Sequence, residues 1–263
     1  MPDSVVGMGP QDSTERQKFE DELNRIIQAS AGAGVTLRVI GSLAFQFHCP
    51  RYGYLQAAMG RAYTDIDFAG YSRERGAVRD LMTGLGYAEN REVTVVSEGM
   101  RMIFDSAASG LHVDVFFDKL DFCHEISWKN GRLGVDSPTL PLAEMLLEKM
   151  QIVKINEKDI IDTIMLLLEH PLGESDQETI NIKLVAELCS EDWGLWRTTT
   201  MNLNKVSQLV DDYSQLDSAD KAHVTAQVQA ALLRIADQPK PLAWRLRDRV
   251  GDRVRWYKDV DEV

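Results

Sequence analysis

Asp65-Ile66-Asp67 is the segment of this chain richest in potential chemistry. If it lies on a strand, alternation sets both carboxylates on one face a single pleat apart, with Ile66 and Phe68 anchoring the other face in the core. Two acids held that close repel each other unless a cation sits between them. Mg²⁺ and Mn²⁺ prefer such hard oxygen ligands, completed by phosphate oxygens. The stretch from Leu111 to Phe117 alternates in the same way, with Leu111, Val113, Val115 and Phe117 on one face. The opposite face carries His112, Asp114, Phe116 and, at the end, Asp118. Asp114 therefore offers a third carboxylate, with Asp118 as its substitute, and three carboxylates are enough to hold two metal ions for in-line attack on phosphorus. Gly41-Ser42 falls where a strand feeds a helix. There a residue without a side chain lets the backbone approach a phosphate, and N–H groups and the Ser hydroxyl donate to it.

Two later residues join this set. Leu142, Leu146, Lys149 and Val153 recur at helical spacing, so Lys149 lies on an apolar stripe and takes a partner, either a triphosphate or a buried carboxylate, or else packs its stem and reaches water with its ammonium. Asp162 sits in a helix that is apolar nearly all round, from Ile160 to Leu168, and its carboxylate must also be paired. An i,i+4 contact with Lys158 is the structural alternative.

The elements that would position these groups follow from pattern. Residues 1–13 read as a flexible tail. A first helix is predicted from caps at Asp12, Ser13 and Thr14 through Phe19, Leu23, Ile26 and Ile27. Val35, Leu37 and Val39 alternate as a strand, and a short helix begins near Leu43. Ser72 can cap a helix carrying Val78, Leu81 and Met82, with Gly86 as its stop. Glu92 to Val96 and Arg101 to Asp105 read as further strands, and Asn130-Gly131 as the turn of a hairpin. Beyond Pro138 four or five helices are expected, broken at Asn156, Pro171 to Glu174, Asp217-Ser218 and Pro239 to Pro241. The predicted organisation is α+β: a core over 14–137 with a mixed sheet and flanking helices, then an all-α half over 138–263.

The order of Gly41-Ser42, Thr64-Asp65-Ile66-Asp67-Phe68 and Val113-Asp114-Val115 resembles the nucleotidyltransferase core of the DNA polymerase β-like superfamily. Arg61-Ala62-Tyr63-Thr64, Lys149 in Leu147-Glu148-Lys149-Met150, and Lys158-Asp159-Ile160-Ile161-Asp162 look like later motifs of its abortive-infection (AbiEii-like) branch, which includes toxin nucleotidyltransferases. The resemblance runs from about Val35 to His170. It implies that Asp65, Asp67 and Asp114 bind two Mg²⁺ or Mn²⁺ ions, that Gly41, Ser42 and Lys149 contact a nucleoside triphosphate, and that Asp162 supports the site. It further implies transfer of a nucleoside monophosphate to an acceptor hydroxyl with release of pyrophosphate. The acceptor is left open among an RNA or tRNA end, a protein and a small molecule, and an antitoxin-type protein partner fits the same branch. Residues 43 to 64 form a longer spacer between Ser42 and Asp65 than the superfamily usually shows, and read as an inserted loop beside the site.

Composition narrows the rivals. With 44% hydrophobic and 27% charged residues, and no apolar run of membrane-spanning length, the chain reads as globular. The start of the sequence lacks the basic-then-apolar pattern of a secretory signal, and Cys49, Cys123 and Cys189 are scattered, so a reducing cytoplasm is expected. A net charge of −12 opposes non-specific binding to polyanions. The one basic-aromatic stretch, from Trp244 to Lys258, has Asp248, Asp252 and Asp259 among its arginines and reads first as an amphipathic helix with exposed ion pairs. His48-Cys49 and Cys123-His124 lack zinc-ligand spacing, and neither a G-x-S-x-G elbow nor a phosphate-binding G-x-x-x-x-G-K loop occurs. Two alternatives stand beside the transferase: a catalytically silent relative acting as a binding or toxin-antitoxin partner, and a phosphohydrolase that uses the same acids on water.

Overall fold

The computed structural model describes residues 10–58 and 63–259. The chain divides into two compact units. One comprises the residues up to Phe47, Gly53–Lys119 and Trp128–Leu140, and the other His48–Tyr52, Leu120–Ser127 and the chain from Pro141 onward. Two short stretches before Pro138, 48–52 and 120–127, thus fall with the helical unit.

The first unit is built on a five-stranded mixed sheet with β1 (Leu37–Ile40), β2 (Ile66–Gly70), β3 (Ala88–Asn90), β4 (Arg101–Asp105) and β5 (His112–Phe117). Their spatial order is β1-β2-β5-β4-β3; only β2 and β5 are parallel, and every other pair is antiparallel. One face is dry: Val39, Ile66, Phe68, Met102, Phe104, Val113, Val115 and Phe117 are all buried there, as period-two alternation requires. Helices α1 (Pro10–Ala33) and α4 (Arg75–Gly84) pack on each other and contribute Phe19, Leu23, Ile26, Val78 and Met82 to the core. The opposite face carries Asp67, Asp114, Arg101, His112 and Asp105. Helix α2 (Gly41–His48) follows β1 without a loop, and α3 (Tyr54–Ala58) lies within the spacer before β2.

Several expectations are corrected here. Helix α1 starts at Pro10, inside the expected tail, while residues 1–9 lie outside the described residues, as do Arg61 and Ala62. Glu92 to Val96 is not a strand but part of α5 (Arg91–Val96), whose first turn is capped by the Asn90 side chain accepting from the Val93 N–H. Val95 and Val96 are 76% and 80% exposed, so no neighbour supplies the burial that would make a valine run a strand. Asn130 and Gly131 do adopt positive φ, 60° and 83°, but a 3₁₀ turn over Arg132–Gly134 follows instead of a return strand. The actual hairpin is formed earlier, by β6 (Lys119–Asp121) and β7 (Glu125–Ser127). Ser72 does not cap α4 with its side chain. Its backbone N–H instead donates to Oδ1 of Asp118, 3.0 Å away.

The second unit holds helices α6 (Leu142–Met150), α7 (Glu157–Glu169), α8 (Ile182–Glu191), α9 (Trp193–Leu209), α10 (Ser218–Asp237) and α11 (Leu242–Val250). Asn156 caps α7 and Asp217 caps α10, at the predicted breaks. Asp192, which accepts from Gly194 and Leu195, makes a further break between α8 and α9. Two parallel two-residue strands, Leu172–Gly173 and Ile180–Asn181, occupy the turn after α7. No described helix is long and apolar enough to cross a membrane.

Candidate active site on the open face of the sheet

Strand register sets two of the predicted acids side by side. Asp67 on β2 is level with Asp114 on β5, and residues level with each other on neighbouring strands project from the same face. Asp65 directly precedes the first residue of β2. Asp65 is exposed, Asp67 half-buried, and Asp114 only 6% exposed. Burial pushes the Asp114 carboxyl above the ordinary carboxylate range; hydrogen bonds and charge from Arg101 pull it back, and the Asp65 charge adds to the rise.

Gly41 explains why this corner needs a glycine. It has φ +68°, the left-handed region, and a Cβ there would stand 2.6 Å from Asp67 Oδ2. The first residue of α2 is thereby pressed against the Asp67 carboxylate, at the helix end where the backbone dipole is positive. Ser42 is half-buried beside it, and its carbonyl accepts from Gln56 Nε2 at 3.3 Å, so the spacer helix α3 returns to the first turn of α2. Tyr63, at the far end of the spacer, accepts from Arg16 on α1 at 2.8 Å and stacks edge-on against Phe19.

Arg101 has no role in the expectations from sequence, yet it is bonded to one of the three acids. Its Nε and Nη2 both reach Asp114 Oδ2, at 2.8 and 2.6 Å, and its guanidinium lies 5.2 Å from the Phe116 ring centre. Asp114 Oδ1 is left buried without a hydrogen-bond partner. Alternation on β4 was the available signal, since it puts Arg101 and Ile103 on one face, but only the β4–β5 register shows which face that is. His112, also without an assigned role, pairs through Nδ1 with Asp105. Asp118 does not join the acids. At φ 62° it closes β5 and caps the turn at Ser72, roughly 13 Å along the strand from Asp114.

The donor set suits a hard cation. It consists of carboxylate oxygens, one of them buried and unsatisfied. Among the described residues no three His, Cys, Asp or Glu side chains are gathered tightly enough to cage a metal by themselves. A surface concavity of about 880 Å³ lies elsewhere in the same unit, between α1 residues such as Lys18, Glu22 and Arg25 and the Ser109–Leu111 turn; none of the predicted site residues lines it.

Lys149 and Asp162 belong to the second unit. Lys149 is 6% exposed, and its Nζ lies 3.3 Å from Glu148, 3.2 Å from Asp159 and 3.2 Å from Asp162, itself fully buried. The buried-carboxylate option for Lys149 is therefore realised, and Asp162 meets Lys149 across two helices. In the C-terminal segment Trp193, Trp196, Trp244 and Trp256 pack edge-on or tilted on one another, with Trp193 and Trp244 buried, while Arg197 forks onto Asp252 at 2.9 and 2.8 Å. No family model, no curated protein and no solved structure matches the chain.

Proposed function

We propose that the chain is a metal-dependent nucleotidyltransferase of the DNA polymerase β-like type, which moves a nucleoside monophosphate from a nucleoside triphosphate to an acceptor hydroxyl. The observation that carries this reading is the level placement of Asp67 and Asp114 on adjacent parallel strands, with the glycine that starts α2 pressed against Asp67. In the reaction the acceptor oxygen forms a bond to the α-phosphorus as the bond to the bridging oxygen breaks, and pyrophosphate leaves with the electron pair. Asp65, Asp67 and Asp114 would hold Mg²⁺ or Mn²⁺, which supplies neutralisation of the triphosphate and acidifies a bound hydroxyl. The N–H groups at the start of α2 and the Ser42 hydroxyl are suited to donate to phosphate oxygens. Asp114 assists removal of the acceptor proton. Lys149 and Asp162 are read as a buried charge cluster of the helical unit rather than as triphosphate ligands, because three carboxylates already surround the ammonium.

The test is binding of each of the four nucleoside triphosphates to the purified chain by calorimetry, with and without Mg²⁺ or Mn²⁺. Metal-dependent binding is expected, and Asp67→Asn should remove it while leaving the circular dichroism spectrum unchanged. If none of the four binds, the silent-scaffold reading replaces this one. If binding is followed by triphosphate loss without any acceptor, the phosphohydrolase reading does.

A further inference from the structure

Helix α11 has two apolar sides, and its own fold covers one of them. Trp244 is the inward anchor: its ring is buried against Trp196, and its Nε1 donates to the Cys189 carbonyl at 3.0 Å. Asp248, the single acid of this helix, accepts from Trp193 Nε1 at 2.7 Å on the same side. Arg247 is occupied at the helix end, where it donates to the carbonyls of Gly251 and Val254.

The outward side is different. At about 100° of rotation per residue, Leu242, Ala243, Leu246 and Val250 fall in a stripe roughly 100° wide, the width by which a helix ordinarily meets a core. Here the stripe faces solvent, with Leu242, Leu246 and Val250 exposed by 64%, 50% and 39%. Arg245 and Arg249 border it one turn apart, both exposed and neither in an ion pair among the described residues. With Asp248 turned inward, no acid of the helix offsets this positive edge.

The combination of aliphatic stripe and arginine edge selects among occupants. A nucleic acid would use the arginines and leave the leucines beside a charged backbone. An anionic membrane would engage both, but the chain's charge of −12 is repelled by such a surface, and a nine-residue helix offers little apolar area for partitioning. A second copy docked through the same helix would oppose arginine edge to arginine edge, because a two-fold interface sets like parts against each other. An amphipathic helix with aliphatic residues along one side and carboxylates along its edge complements both features.

We propose that the outward side of α11 is a docking surface for an acidic amphipathic helix of a partner protein. Its aliphatic side chains lie on Leu242, Leu246 and Val250, and its carboxylates pair with Arg245 and Arg249. None of the residues of the proposed active site is on this helix, so docking and nucleotide chemistry can fail separately.

The probes are three fluorescein-labelled helical peptides of equal length: leucines along one side with glutamates at the edge, the same peptide with alanine for leucine, and the same peptide with lysine for glutamate. An acidic peptide must bind the full-length protein against its overall charge, so its binding reports a local site. Fluorescence anisotropy should show saturable binding of the Leu–Glu peptide, weakened by salt, and none of the Ala–Glu peptide. Leu246→Asp should weaken it at least about tenfold, as loss of a central contact does. Arg245→Glu combined with Arg249→Glu should lose the Leu–Glu peptide and bind the Leu–Lys peptide more tightly than the wild type does. All three positions are exposed, so the variants should keep the wild-type circular dichroism spectrum. No binding of the Leu–Glu peptide, or binding that neither variant changes, would overturn the proposal. So would tight binding to phosphatidylserine–phosphatidylcholine vesicles, or a dimer in sedimentation velocity that Leu246→Asp dissolves, since these assign the face to a membrane or to a second copy.

Discussion

At the scale of single residues, the site depends on what each atom is allowed to be next to. Gly41 is the clearest instance. Alanine there would face a left-handed backbone cost of about 1–2 kcal/mol and also place its Cβ 2.6 Å from Asp67 Oδ2, so Asp67 must move. Gly41→Ala is expected to lower the unfolding free energy by at least that amount and to weaken metal-dependent nucleotide binding more than tenfold, read by urea denaturation and calorimetry. Binding at wild-type strength in a destabilised variant would mean that the contact with Asp67 serves the fold alone. Lys149 makes the opposite case. Removing its ammonium strands Glu148, Asp159 and Asp162 in a buried setting, and breaking such a cluster costs about 3–5 kcal/mol. Lys149→Met should therefore show a large fall in stability. A variant that folds as stably as wild type but binds triphosphate poorly would restore the nucleotide-contact role.

At the scale of elements, the sequence was legible where chemistry and periodicity are local. The alternation of Ile66 to Phe68 and of Leu111 to Phe117 put Asp67 and Asp114 opposite the apolar face of each strand, and register then set Asp67 level with Asp114. What could not be read depends on which strands become neighbours. Arg101 meets Asp114 only because β4 pairs with β5, and Asp118 serves Ser72 only because β5 ends beside the turn after β2. The valines of α5 misled for a related reason: β-branched residues favour a strand only if a partner covers them, and here an Asn cap started a helix on the surface. The division of labour along β5 is testable. Asp118→Ala should cost about 1–2 kcal/mol through loss of the cap and leave nucleotide binding unchanged, whereas Asp114→Asn should abolish binding. The reverse pattern would make Asp118 the third acid.

The helical unit has its own pH-dependent joint between the β6–β7 hairpin and α9. His124 is buried, its N–H donates to Gln151 Oε1 at 3.0 Å, and its Nε2 lies 2.8 Å from Thr198 Oγ1. Thr198 Oγ1 accepts from Trp256 Nε1 at 3.0 Å, which leaves the hydroxyl proton for an unprotonated His124 nitrogen. Burial, aided by Lys258 and opposed by Asp192, holds the imidazole below its ordinary range. The unfolded chain then binds the proton first as pH falls. Stability is complete above about pH 6.5 and declines below it until the folded-state value is reached, by up to about 1.4 kcal/mol per pH unit for one proton. Urea denaturation at pH 7.5 and 5.0 should show this decline in the wild type and a smaller one in His124→Gln; equal slopes would remove His124 as its source.

At the scale of the whole molecule, charge limits which acceptor the proposed transfer could use. The chain carries −12, and many of its arginines are already committed: Arg51 to Glu169, Arg79 to Glu89, Arg197 to Asp252, Arg234 to Glu174 and Arg255 to Asp259. The tryptophans of the C-terminal segment pack largely against one another, which leaves less aromatic surface on which bases could stack. A polynucleotide held by its backbone would release counterions and bind more weakly as salt rises, but it needs clustered cations to begin with. Generic single-stranded RNA is therefore expected to bind more weakly than about 10⁻⁴ M at physiological salt, the weak end of ordinary non-specific binding, when measured by fluorescence anisotropy. A micromolar affinity with a steep salt dependence would show that exposed Arg245, Arg249 and Arg253 act together as a backbone track, and would favour an RNA acceptor. Weak binding that salt barely changes would instead favour a structured RNA terminus, a protein hydroxyl or a small molecule, because each presents a nucleophile without asking this acidic molecule to hold a long polyanion.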